Sequence, residues 1–128
     1  MPTRRSVRLP PGLVAAISTT AYFHPITEYF EASGLDKMRA VFEVLGLNGN
    51  LSGVPAAHFT DQPDQQGTVV ELCTAATTNG LNNPSAWTSV QTTASGKQLC
   101  RLGWYVKLST GSTLATAVMQ AKVEILTI

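Results

Sequence analysis

The chain has 128 residues, of which 44% are hydrophobic and 13% charged, and its formal net charge is +1. That length suits one domain with enough chain to bury a core, and no apolar run approaches the ~20 residues of a membrane-spanning helix. The charged fraction is about half the ~25% of ordinary domains. Thr, Ser, Asn and Gln supply the polarity instead, which favours strands over exposed helices.

The first segment, MPTRRSVRLPPG, holds Arg4, Arg5 and Arg8. Without them six basic side chains face eight acidic ones, so the positive charge belongs to this segment and the remainder is slightly acidic. A sequence pI near 7.8 argues against a general nucleic-acid surface, and three arginines would neutralise only about three phosphates. The segment has no apolar face to insert in a bilayer, and no h-region of a signal peptide follows it. Residues 1–12 are therefore expected to form an extended basic arm, stiffened at its base by Pro10-Pro11, whose first eleven residues could reach about 35 Å at ~3.3 Å per residue. Val7 and Leu9 alternate with Ser6 and Arg8, so the arm can add as a strand to a neighbour's sheet. Its arginines would then pair with acidic side chains. Arg4, Arg5, Val7, Arg8 and Leu9 are the candidate partner-binding residues.

Residues 13–128 are expected to form one domain. LVAAISTTAY, from Leu13, suits either a strand or a short helix. After His24-Pro25, ITEYFEAS reads as a strand near an edge. KMRAVFEVLGL is clearer: Met38, Ala40, Phe42 and Val44 share one face, so a half-buried strand is expected. It is closed by a turn at Asn48-Gly49-Asn50. GVPAAHFT is the next strand, placed at an edge or bulge by Pro55. The loop DQPDQQG carries Asp61 and Asp64, without the dense acidic spacing and fixed glycine of a calcium loop. VVELCTAATT is a further strand, and NGLNNPSAWTSV an exposed loop entering a short strand at Trp87.

QLCRLGWYVKLS places Cys100, Leu102, Trp104, Val106 and Leu108 on one face, with Tyr105 on the other. LATAVMQAKVEILTI aligns Ala117, Met119, Ala121, Val123 and Ile125. The short turn between these two strands predicts an antiparallel hairpin. Seven or eight strands with regular turn signals give an all-β fold, an antiparallel β-sandwich of jelly-roll type with an extended N-terminal arm.

No nucleophile elbow, zinc-protease motif or P-loop is present, so no enzyme, no metal site and no cofactor is expected. His24 and His58 read as structural or surface histidines. Cys73 and Cys100 lack C-x-x-C spacing and read as free thiols, with a disulfide the alternative. Trp104 alternates with core positions. Trp87 either caps the core or meets a partner, and Tyr105 is a second candidate surface contact.

The succession EYFEASGLDKMRAVFEVLGLNGNLS, NNPSAWTSV and GKQLCRLGWYVKLSTGSTLATAVMQAKVEI resembles small tailed-phage structural proteins, namely head decoration (cement) proteins and related virion accessory proteins. The likeness spans roughly residues 26 to 126 and consists of strands and turns. It implies a sandwich that sits on the phage head, made in the host cytoplasm, often as a homotrimer, clamping the major capsid protein lattice with an arm extended over the shell. Two alternatives are a carbohydrate- or receptor-binding sandwich using Trp87 or Tyr105, and a small coat protein whose basic arm contacts a genome.

Overall fold

In the computed structural model the described residues are 3–33, 37–60, 68–82, 88–89, 97–111 and 113–127. They form ten strands: β1 (Thr3–Ala16), β2 (Tyr22–Pro25), β3 (Phe30–Ser33), β4 (Lys37–Asn48), β5 (Leu51–Thr60), β6 (Thr68–Glu71), β7 (Gly80–Asn82), β8 (Thr88–Ser89), β9 (Lys97–Leu108) and β10 (Ala115–Thr127). Among the described residues there is no helix, hence none long and apolar enough to cross a membrane. One antiparallel sheet, sheet A, runs β1-β10-β4-β7, with β8 also on β4. The other, sheet B, runs β2-β9-β5-β6, with β3 also on β9.

The alternation in KMRAVFEV does what period two requires. Met38, Ala40, Phe42 and Val44 are buried, as are Cys100, Leu102, Trp104, Val106 and Leu108 on β9. The two rows belong to different sheets and share one core, in which the Phe42 and Trp104 rings lie 5.9 Å apart, tilted by 59°. The arrangement is sandwich-like.

The hairpin expected between β9 and β10 does not form. β9 pairs with β2, β3 and β5, whereas β10 pairs with β1 and β4. Each strand carries a continuous apolar face, and both faces are covered at once when the strands lie in opposing sheets. The link from β4 to β5 crosses between sheets in the same way. Gly49, at φ 97°, makes that turn, and a Cβ there would come within 2.9 Å of Ala115 Cβ. The Ser109 amide donates to the Asn50 carbonyl at 2.8 Å, tying the two crossing links together.

Pro55 is central, not at an edge: it lies opposite Trp104, with β5 between β9 and β6. The Pro55 carbonyl accepts from the Leu72 amide at 3.0 Å, on the side away from β9. In an antiparallel strand the N and C=O of one residue point the same way. The missing N–H therefore faces the irregular stretch after β6, and the ladder to β9 keeps all its donors.

The N-terminal segment is the largest departure from expectation. Residues 3–16 do not project; they form one strand paired with β10 from Thr3↔Thr127 to Ala16↔Ala115. The expected boundary between residues 12 and 13 falls inside this strand. Pro10 and Pro11 make a bulge between Leu9 and Gly12. A bulge on an edge strand is where two residues without a donor N–H cost least.

Candidate interaction face

Because β1 alternates, it sends Arg4, Ser6 and Arg8 outward and Arg5, Val7 and Leu9 toward sheet B. Leu9 is fully buried and Val7 packs half-buried against the core. The Arg5 guanidinium lies 4.9 Å from the Phe30 ring centroid, closing the gap between β1 and β3. Arg4 reaches Glu124 at 3.6 Å, and Arg39 Nε donates to the same carboxylate at 3.1 Å. Four of the five residues expected to grip a partner are thus engaged within the chain. Among the described residues Arg8 alone of the five has no such contact.

The register across sheet A assembles the face around Arg8. Arg8 lies opposite Lys122, which lies opposite Val41. Ser6, Glu124 and Arg39 form the adjoining row, and Arg4, Leu126 and Lys37 the next. On the other side Gln120 lies opposite Glu43, and Gln120 Nε2 donates to Glu43 Oε1 at 3.0 Å. Leu81 of β7 follows Glu43 laterally and is 64% exposed. These side chains line an open groove of about 450 Å³, bordered by Ser6, Arg8, Val41, Glu43, Leu81 and Lys122.

Charge on this face is one-sided. Arg4, Arg8, Lys37, Arg39 and Lys122 stand against Glu43 and Glu124, a surplus of three on a chain whose net charge is +1. The sequence assigned positive charge to an arm. The fold instead merges that segment with Lys37, Arg39 and Lys122 into one basic face. Beyond the groove the face turns apolar: Leu13 is 66% exposed, its cross-strand partner is Val118, and Leu45, the extra residue of a bulge in β4, is 47% exposed.

A second apolar cleft, about 420 Å³, lies where β1 passes to β2 and is lined by Ala15, Ala16, Ile17, Tyr22 and Val106. Tyr105 is half-buried on the face of β9 opposite Trp104, beside a smaller cleft of about 150 Å³ that includes Glu71 and Lys107. Trp87, Asp61 and Asp64 lie outside the described residues.

His58 is buried on the outer side of sheet B, opposite Arg101 and stacked on Phe23 with centroids 5.5 Å apart. Arg101 itself lies over Tyr29 and Phe23. Burial, then the neighbouring guanidinium, lower the His58 pKa, and among the described residues neither His58 Nδ1 nor Arg101 Nε has a hydrogen-bond partner. Neither Cys73 nor Cys100 is in a disulfide among the described residues. Burial raises the Cys73 pKa, although Cys73 Sγ lies 2.7 Å from the Ala40 carbonyl. Among the described residues no three His, Cys, Asp or Glu side chains converge as metal ligands.

Sequence reasoning singled out Arg8 but missed Lys122, Gln120, Val41 and Leu81. Their outward facing is legible from alternation along each strand. Their lateral meeting with Arg8 is not, because it depends on which strands pair. The chain matches no family model, no curated protein and no solved structure.

Proposed function

We propose that this chain is a non-enzymatic virion structural protein of jelly-roll type that decorates and stabilises a phage head by binding the major capsid protein lattice. The nesting of its strand pairs carries this reading. β1 lies beside β10, β2 and β3 beside β9, β4 beside β7 and β8, and β5 beside β6. First pairs with last and so inward, which is the order made by wrapping one long antiparallel ribbon into two sheets, the jelly-roll route used by viral capsid and lectin domains. Fold alone does not fix function. The basic face with its apolar border supplies the contact surface that a binding role needs. Self-association, with the apolar cleft between β1 and β2 as one contact, would link copies into a trimer and raise avidity for a repeating lattice.

The test is co-sedimentation of the purified chain with expanded heads that lack it, with copy number measured by quantitative mass spectrometry. Saturable attachment at a fixed ratio to the major capsid protein is expected. Failure to pellet with heads, together with sugar-specific binding on a glycan array or unaided assembly into shells, overturns it in favour of a lectin-like or a coat role.

A further inference from the structure

We propose that the groove on sheet A is a binding site for an acidic, otherwise apolar segment of a partner protein, with Arg8 and Lys122 as its carboxylate receptors. This rests on the proposed function and names the chemistry of the contact.

Arg8 and Lys122 are directly opposite one another on adjacent strands and point to the same side of the sheet. Like charges so placed repel, and a fold gains nothing from the pairing. The two nearby carboxylates are engaged elsewhere: Glu124 pairs with Arg4 and Arg39, and Glu43 accepts from the Gln120 amide. Among the described residues neither cation has an acidic partner, and both are exposed. A carboxylate set between them would make two charge-assisted hydrogen bonds, one with each cation.

The rest of the groove narrows the class of ligand. Val41 and Leu81 give it aliphatic walls, and Glu43 stands at the end away from Arg4. A polyanion such as a nucleic-acid strand would meet Glu43 after one or two phosphates, and Phe42, the aromatic among the described residues that line the groove, is buried with its ring against Trp104 and offers nothing to stack on. An isolated carboxylate flanked by aliphatic side chains meets cations and apolar walls together. An extended protein segment in which a single Glu or Asp has Val, Leu or Thr two residues before and two residues after it has that pattern on one face.

The probes are two fluorescein-labelled ten-residue peptides of Val and Thr that carry a single central Glu or Gln with Val two residues to either side of it, and a labelled oligothymidylate of equal length, each titrated by anisotropy. Binding of the Glu peptide about tenfold tighter than the Gln peptide is expected, weakening as salt is raised. Lys122→Glu should abolish that preference and gain affinity for a peptide with Lys in place of Glu. Lys122→Thr, which relieves the repulsion, should lose most of the preference with an unchanged or raised melting temperature, so the loss cannot come from unfolding. Equal affinity for the Glu and Gln peptides, no binding of the Glu peptide below about 1 mM, or tighter binding of the oligothymidylate overturns the assignment. Head co-sedimentation reads the proposed function separately. If Lys122→Glu still saturates heads, decoration stands and the groove is not its contact.

Discussion

Replacing Leu9 with Ala tests whether the N-terminal segment is a strand of the fold or a strap held out for a partner. Leu9 is fully buried, opposite Ala121, one residue before the Pro-Pro bulge. Shortening a side chain at such a site removes transfer free energy and leaves a cavity that an edge strand pinned by two prolines closes only in part. The expected cost is about 3 kcal/mol, within the ~2–5 kcal/mol range for buried Leu→Ala. With a urea slope of ~1.5–2 kcal/mol/M, the unfolding midpoint should fall by about 1.5–2 M. Leu13→Ala, on the same strand but 66% exposed, is the internal control and should change stability by less than ~0.5 kcal/mol. The assay is equilibrium urea denaturation followed by tryptophan fluorescence, for which buried Trp104 is a reporter. If both variants unfold at the wild-type midpoint, β1 is not docked on β10 and the edge-strand account fails.

Acid should destabilise the protein through His58. Its folded pKa lies below the ordinary 6.5, so the unfolded chain takes up the proton first as pH falls. The stabilisation is present above that value and is lost as pH drops through the folded pKa; thermal melts at pH 7.5 and 5 should show a smaller acid loss in His58→Leu than in wild type. Gly103→Ala should cost ~3 kcal/mol, because a Cβ would strike the His24 carbonyl oxygen and approach Pro25 Cα within 2.9 Å. Gly46→Ala, where a Cβ meets nothing within 4 Å, should leave the urea midpoint nearly unchanged.

Sequence alone was enough to give the core-facing side of the strands that alternate clearly, β4, β9 and β10. Alternation in KMRAVFEV and QLCRLGWYVKLS marks Phe42 and Trp104 as inward, and burial of both follows from the two-residue repeat. Strand content and most turns were legible for the same reason: side-chain branching, Gly and Asn act over a few residues. Lateral order was not. Period two says which face is apolar and nothing about which strand lies alongside, so β9 and β10, joined by a short turn, were expected to pair and instead face each other across the core. Pro55 read as an edge signal because a missing donor is visible in sequence, while the direction that donor would have pointed is not. The basic segment likewise looked like an arm, since its place beside β10 depends on residues at the opposite end of the chain. That pairing alone brings Arg8 against Lys122, and the candidate site exists only because the tertiary structure closes the ribbon, first strand against last.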